Sequence, residues 1–202
     1  MASSGRCASG RVSPASNHGT IVRMKETAVT IRLAEPGDAH AIAEMSRDLI
    51  ESGLGWRYDA PSIQRAMRRR ETVVLVATER HTYAARDRGK PPSGFAIMDF
   101  GDERAHLVLL AVQPALRRHG IGRRLVDWLV ESAVTAGMAS VHLELRADNE
   151  AARRFYRTLG FSETVLMPKY YNGREAAMRM IRVLRAPGPL PLAWRPPALG
   201  QK

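Results

Sequence analysis

Apolar and polar positions alternate along the middle of the chain in blocks that predict strands and helices in turn. Short apolar or β-branched runs predict strands, and apolar residues three and four positions apart predict helices. The predicted strands cover residues 29–33, 72–78, 95–100, 106–112, 141–145 and 178–184. The predicted helices run from Asp38 to near Gly53, from Pro61 onward, over 122–136 and over 149–159. This interleaved order is typical of an α/β (α+β) domain.

The strongest periodic signal lies between residues 107 and 137. The continuous apolar run 107–112 has the length of a buried strand. After it, Ile121, Leu125 and Leu129 recur every four residues, which predicts an amphipathic helix. Gly137 is a suitable C-terminal cap for that helix. A buried strand followed by a turn and a long helix is therefore the centre of the predicted fold.

Both ends of the chain lack such a pattern. Residues 1–27 are rich in Ser, Gly, Ala and Arg and predict a disordered extension, whereas residues 186–202 hold five prolines and predict a Pro-rich tail. The extension lacks the apolar core of a secretory signal. It is either an organelle transit peptide or the result of a start assigned too early, and we favour Met24 as initiator. One domain over 28–185 follows, with a long polar loop at 79–93 that we expect to be mobile.

Composition and charge narrow the classes of protein. The single cysteine, Cys7, cannot form an intramolecular disulfide, which favours a reducing, cytoplasmic location. No apolar run approaches ~18 residues, so no membrane span is predicted. The net charge of +11 is compatible with nucleic acid, ribosomes, acidic lipids or a phosphorylated cofactor. Because the chain has only four lysines, a general preference for arginine is the favoured explanation, and a nucleic-acid partner is not expected.

The turn between the apolar strand and the long helix carries the clearest chemical signal. The strand ends at Pro114, and a basic, glycine-bearing turn leads into the helix. Glycines let a ligand approach the backbone, and a helix start presents unpaired N–H donors with a partial positive charge. Arg117, Arg118 and Arg123 add full charges. The segment therefore predicts a cradle for a pyrophosphate group.

The spacing R-x-x-G-x-G is a weak signal by itself, but two other phosphate-binding loops are excluded. The dinucleotide fingerprint needs a third glycine where this chain has Leu125. The P-loop needs Gly-Lys-Ser/Thr, whereas Gly122 is followed by two arginines.

The wider context of this turn resembles a known family. The pattern AV-x-P-x-x-RR-x-GIG at 111–122 resembles the acetyl-coenzyme A signature of the GNAT N-acetyltransferases. Downstream, LELRADNEAA at 143–152 and FYRTLGF at 155–161 resemble that family's other cofactor-side segment. The run KYYNGREA at 169–176 is similar to the ribosomal-protein-alanine N-acetyltransferase branch. The resemblance is close over 107–184 and looser over 29–100.

The resemblance implies a fold and a cofactor site. The fold is a mixed, twisted central sheet with helices on both faces, whose splayed central strands hold coenzyme A. The cofactor-binding residues that it implies are Leu110, Ala111, Val112, Arg117, Arg118, His119, Gly120, Ile121, Gly122, Arg123, Asn149 and Ala152. Asn149 is either a ligand of the pantetheine arm or a helix cap, and it can be both.

Acetyl transfer to an amine requires that the amine lose its proton and that the leaving thiolate gain one. No covalent nucleophile is evident, so direct attack by the amine is predicted. By the resemblance, Tyr156 is the candidate acid and Glu144 the candidate base, acting through water. The plainer alternatives are that Tyr156 is a core aromatic and that Glu144 forms a Glu–Arg pair on a solvated face.

We expect His106 and His142 to pair across strands and His119 to be a phosphate-side or solvated residue. No metal motif is present.

The acceptor side is the least specified region. By the resemblance it is built from about 49–58 and 168–174, where Trp56 and Tyr58 are either pocket walls or core. The acceptor is predicted to be a protein N-terminus or a small amine. The protein itself is predicted to be a monomer or a homodimer. The alternative is a non-catalytic module of the same fold that binds RNA or ribosomes.

Overall fold

The computed structural model describes residues 29–79 and 91–185. The extension predicted at 1–27, the Pro-rich tail at 186–202 and most of the polar loop at 79–93 lie outside the described residues. Within the described ranges, no helix is both long and apolar enough to span a bilayer. The described residues form seven strands, β1 (Val29–Leu33), β2 (Thr72–Glu79), β3 (Gly94–Phe100), β4 (Arg104–Val112), β5 (Ser140–Arg146), β6 (Ser162–Tyr171) and β7 (Glu175–Val183). They also form four α-helices, α1 (Ala39–Leu49), α2 (Ala60–Arg68), α3 (Ile121–Thr135) and α4 (Glu150–Arg157).

The seven strands form one mixed sheet in the order β1-β2-β3-β4-β5-β7-β6. All neighbours are antiparallel except β4 and β5, which run parallel. The apolar faces of α3 and α4 cover one side of the sheet, and those of α1 and α2 cover the other. The predicted mixed sheet with helices on both faces is confirmed.

The two parallel strands separate soon after they meet. They pair at only three positions, the last of which joins His106 to His142. Beyond these histidines, no described residue of β4 pairs with β5, although both strands continue. The unpaired strand edges bound a cleft in the middle of the sheet, which is the predicted splay.

A β-bulge lies in β4 just beyond the last paired position. Ile97 of β3 pairs with Leu109 and Met98 pairs with Leu107, so Val108 is the extra residue. The bulge reverses which side chains face each layer: Leu107 packs with α3, whereas Leu109 packs with α1 and α2. Without it the two leucines, two residues apart, would share one face.

Strand β6 is the one element that the hydrophobic pattern did not predict. It forms an edge of the sheet, most of its side chains are exposed, and Pro168 lies within it. An edge strand tolerates proline and does not need alternating apolar residues, so its sequence carries little signal.

The start and end of α1 also differ from the prediction. The helix ends at Leu49 rather than near Gly53. Asp38 precedes the helix as expected, but its carboxylate does not cap it. The carboxylate instead accepts from the Glu35 backbone N–H at 2.7 Å and forms an ion pair with Arg32.

Candidate active site

The loop after β4 has a backbone shaped for an anion. Arg118 and Gly120 have positive φ angles of 69° and 78°. Within the described parts of the chain, none of the six consecutive N–H groups of residues 118–123 donates to a protein acceptor. Successive free N–H groups in a left-handed turn at a helix start form an anion-binding nest.

The basic side chains of this loop differ in what holds them. Arg117 Nε donates to the Val112 carbonyl at 3.2 Å, which fastens the loop to the end of β4. Arg123 reaches the Thr158 carbonyl at 3.4 Å, at the end of α4. His119 Nδ1 bonds to the Arg117 carbonyl at 2.9 Å. Arg118 is exposed and has no hydrogen-bond partner among the described residues, so its charge is available to a ligand.

Gly120 and Gly122 are glycines for different structural reasons. A Cβ on Gly120 would meet nothing within 4 Å, although its φ of +78° disfavours any side chain. A Cβ on Gly122 would lie 3.3 Å from Phe155 Cζ. Gly120 therefore leaves open space beside the nest, whereas Gly122 allows α3 to pack closely against α4.

The cleft has β4 on one side and β5 with the start of α4 on the other. Leu110, Ala111 and Val112 belong to the stretch of β4 that has left β5. Asn149 caps α4, because its Oδ1 accepts from the Ala152 N–H at 3.0 Å. The cap engages only the side-chain oxygen, so the amide group of Asn149 can still donate to a ligand.

Tyr156 lies on α4 with its ring buried. The ring packs edge-on against Phe155 and Phe161 at centroid distances of 5.1 and 5.5 Å. Burial, with a smaller contribution from Tyr171, raises the pKa of Tyr156 far above 10. Its hydroxyl has no hydrogen-bond partner among the described residues. Tyr156 is therefore a protonated, uncommitted donor at neutral pH.

Glu144 lies on β5 between two basic side chains. One carboxylate oxygen is 2.8 Å from His106 Nε2 and the other is 2.7 Å from Arg179 Nε. Only 6% of the side chain is exposed. Burial would raise the pKa of Glu144, but the hydrogen bonds from His106 and Arg179 outweigh it and hold the pKa at about 2. The Glu–Arg pair considered from the sequence is present, but on a shielded site rather than a solvated face.

His106 and His142 stack across the strands, as expected. Their ring centroids are 4.5 Å apart and their planes differ by 3°. His142 Nδ1 is sealed from solvent and has no hydrogen-bond partner among the described residues. Burial together with the charge on His106 lowers the pKa of His142. The donor atoms of these histidines and Glu144 lie within 4.8 Å of one another, a possible metal spacing. The guanidinium of Arg179 on the same carboxylate opposes a cation there.

The loop between α1 and α2 is the region in which the sequence predicts the acceptor side. Its centre is the buried carboxylate of Glu51, which accepts from the backbone N–H groups of Arg57 and Tyr58 at 2.7 and 3.2 Å. The Ser46 hydroxyl donates to the same carboxylate at 2.9 Å. Sequence inspection did not single out Glu51, because its partners follow from the loop conformation.

Two aromatic residues of this loop have different surroundings. Tyr58 packs against the core below α1 and α2, which agrees with the sequence-based alternative that it is a core residue. Trp56 is 48% exposed and lies 5.5 Å from the guanidinium of Arg47, so it is not a core residue. The loop also meets the far side of the cleft, since Arg146 donates to the Ser52 carbonyl and Asn172 donates to the Gly53 carbonyl at 3.5 Å.

The sequence and the fold both match known acetyltransferases. The acetyltransferase (GNAT) family profile matches residues 44–161, more than half of the chain. The chain belongs to this family.

Named relatives narrow the comparison. Over 91 residues the chain is 38% identical to the [ribosomal protein bS18]-alanine N-acetyltransferase of Escherichia coli K12. The aligned region covers 44% of this chain and 62% of that protein. The chain thus matches about three fifths of the length of such curated relatives.

Solved structures match over more of the chain. The ribosomal-protein-S18-alanine N-acetyltransferase of Escherichia coli aligns with a TM-score of 0.62 and 25% identity, over 81% of this chain and 99% of that one. The acetyltransferase YncA of Salmonella typhimurium, solved with its cofactor acetyl-CoA, aligns with a TM-score of 0.63 and 25% identity, over 80% and 97%.

Proposed function

We propose that this protein transfers the acetyl group of acetyl-CoA to a primary amine by direct attack of the amine. One observation carries the proposal: the elements that border the cleft between β4 and β5 bear an anion-binding nest, a buried tyrosine and a shielded carboxylate. The nest suits a pyrophosphate, and the other two groups suit the proton transfers that aminolysis of a thioester needs.

The residues around the cleft fit acetyl-CoA. The free N–H groups of 118–123 and the side chain of Arg118 would hold its phosphates. The free edge of β4 at Leu110, Ala111 and Val112 and the amide of Asn149 would hold the pantetheine arm. When bound, acetyl-CoA supplies the activated acetyl thioester. The similarity to a GNAT enzyme solved with acetyl-CoA supports this assignment.

Tyr156 and Glu144 serve different sides of the reaction. The hydroxyl of Tyr156 stays protonated because burial raises its pKa, so it can donate to a leaving sulfur but cannot act as a base at neutral pH. Glu144 stays ionised because its pKa is about 2. It supplies a negative charge near the place where the amine attacks.

The acceptor that we propose first is a protein N-terminus. The similarity to ribosomal-protein-alanine N-acetyltransferases supports it. A small-molecule amine is the second candidate. The loop after α1 favours it, because exposed Trp56 offers an apolar contact surface beside Gly53 and Gly55, whose φ angles are near +78°. No finding supports a non-catalytic RNA- or ribosome-binding module. A cytoplasmic location and a monomeric or homodimeric state stay predictions.

A turnover assay tests the proposal. Release of free thiol from acetyl-CoA would be followed with peptides that begin with Ala, Ser or Met and with small primary amines, and the product mass would be measured. The same peptides with a blocked N-terminus are matched controls. Acetylation of the free but not the blocked peptides is expected. If acetyl-CoA binds but no amine is acetylated, the proposal is wrong.

A further inference from the structure

His106 occupies the position where the two central strands part. It is the last residue of β4 that pairs with β5, and the cleft begins immediately beyond it. Its side chain is 36% exposed, whereas that of Glu144 beside it is 6% exposed. Of this hydrogen-bonded pair, only the imidazole is open enough to meet an incoming amine.

The hydrogen bonds around Glu144 determine which nitrogen of His106 carries the proton. An ionised carboxylate can only accept hydrogen bonds, and both oxygens of Glu144 are committed, one to His106 and one to Arg179. The Nε2 atom of His106 must therefore donate. In the neutral ring this leaves the lone pair on Nδ1, which bonds to no described residue and is not sealed from solvent.

We infer that His106 Nδ1 accepts the proton of the acceptor amine and that Glu144 is a positioning residue that orients the imidazole and stabilises its charged form. The inference rests on the proposed function and deepens it. A carboxylate that holds one imidazole nitrogen so that the other can act as a base is a recurrent catalytic arrangement. It also explains how a carboxylate that is itself a very weak base can serve the amine side of the reaction.

Several charged groups surround His106. The charged and titratable groups around it are His142 and Glu144 on β5, Arg179 on β7, Asp99 opposite it on β3, Arg104 on its own strand, and Tyr171 at the end of β6 beyond Glu144. Glu144 stabilises the imidazolium directly, and Arg179 weakens that effect by sharing the carboxylate. Asp99 is held by Arg69 and Thr72. Because charge on His106 lowers the pKa of His142, the stacked partner stays neutral.

The proton balance of the reaction closes with these groups. The acceptor amine arrives as an ammonium ion, and Nδ1 takes one proton, which frees the lone pair that forms the C–N bond as the C–S bond breaks. Tyr156 donates its proton to the sulfur and recovers one from the new amide nitrogen through solvent. The products are an amide, a free thiol and one proton that His106 releases to solvent.

Two variants test the assignment. His106→Gln keeps a donor toward Glu144 but has no base, so at pH 7 only amine that is already unprotonated can react. The expected fall in kcat/KM at pH 7 is about 10²–10³-fold, within the usual range for losing one proton-transfer group. The deficit should shrink as the pH approaches the pKa of the amine. Glu144→Gln should cost less and move the acidic limb of the kcat/KM profile to lower pH, because the imidazolium loses its partner.

The controls separate this inference from the proposed function. His142→Gln, a matched change on the stacked ring, should lower kcat/KM far less than His106→Gln, and its deficit should not shrink as the pH rises. Acetyl-CoA affinity and melting temperature should be unchanged in His106→Gln. If Glu144→Gln is the more damaging change and the His106→Gln deficit does not shrink as the pH rises, Glu144 is the base and the inference is overturned. A wild-type enzyme without turnover on any amine would instead refute the proposed function.

A readout that does not need turnover completes the test. The ¹⁵N chemical shifts of the imidazole in labelled protein report which nitrogen is protonated. We expect the Nε2–H form for His106 near neutral pH, with the preference weakened in Glu144→Gln. An Nδ1–H form would overturn the inference whatever the kinetic results.

Discussion

The loop after β4 and the loop after α1 both contain glycines with φ near +78°, but different interactions hold the two loops in place. The first, which includes Gly120, is shaped by its own backbone and by short-range contacts such as Arg117 to the Val112 carbonyl. The second, which includes Gly53, is held by the buried Glu51 carboxylate and by Arg146 from a strand more than ninety residues away.

This difference in construction fits the different tasks that we propose for the two loops. A pyrophosphate can be bound by backbone N–H groups that every residue type supplies, so a short contiguous segment is sufficient. An amine acceptor is selected by side chains, and here these come from several parts of the chain. Changes in the first loop should therefore affect acetyl-CoA, whereas changes in the second should affect the acceptor.

The largest effect is expected at Tyr156. Tyr156→Phe should lower kcat by ~10²–10⁴-fold, the usual scale for losing one proton-transfer group. Acetyl-CoA affinity should hold, because the hydroxyl matters mainly in the transition state. The melting temperature should reflect a loss below ~1 kcal/mol, since the hydroxyl lacks a partner among the described residues. Rapid-mixing kinetics must show that chemistry limits turnover, and near-normal turnover under that condition would exclude the acid role.

A matched pair of glycine variants tests the division of tasks directly. Gly120→Val and Gly53→Val place the same side chain at φ +78° and +79°, with nothing within 4 Å of the new Cβ in either case. The backbone strain should cost each about 1–3 kcal/mol of stability. Only Gly120→Val should weaken acetyl-CoA binding, by about 10–100-fold, because the nest is deformed. Calorimetry that finds equal acetyl-CoA affinities in two folded variants would contradict the assignment of the nest.

Glu51→Gln sharpens the comparison from the acceptor side. The amide keeps the size of the carboxylate but replaces one acceptor oxygen with a donor, which leaves at least one of the buried donors unpaired. The stability cost should be about 1–3 kcal/mol. The KM of the acceptor should rise about tenfold while acetyl-CoA affinity stays constant. A parallel loss of acetyl-CoA affinity would show that the two loops are coupled.

The smallest effect concerns acid stability. The pKa of Glu144 is about 2 in the folded protein and ordinarily 4.5, so its stabilisation is present above pH 4.5 and is lost as the pH falls toward 2. With allowance for solvent screening, this amounts to about 1–2 kcal/mol. Thermal melts from pH 5 to pH 2 should therefore fall less steeply in Glu144→Gln than in the wild type.

Glu163 provides the matched control for that measurement. Its pKa is also about 2, because Arg153 and Arg157 bond to it, but these ion pairs lie at the protein surface between α4 and β6. Salt screens solvated pairs strongly and shielded pairs weakly. High salt should therefore remove the effect of Glu163→Gln on the acid melts and preserve most of the effect of Glu144→Gln. Equal salt sensitivity would contradict the shielded position of Glu144.

The parts of the molecule that follow from local signals were predictable. The apolar run of β4, the glycine-bearing basic turn and the periodicity of α3 lie within thirty residues, and each signal is a property of neighbouring residues. The same holds for Asn149 as a cap, three residues past β5. Alternation along β5 correctly placed His142 and Glu144 on one face, because side chains on a strand alternate by geometry alone.

By itself, the sequence thus determined the order of the elements, the family resemblance, the anion-binding loop and the face on which the catalytic candidates lie. Only the tertiary structure decided that Arg179 shares Glu144 with His106, that β4 bulges at Val108, and that Glu51 holds the acceptor loop. Alternation tells which face a side chain occupies but not which residue of the next strand lies beside it. That neighbour depends on the register of β5 with β7 and with β4, which is set by the packing of the whole sheet.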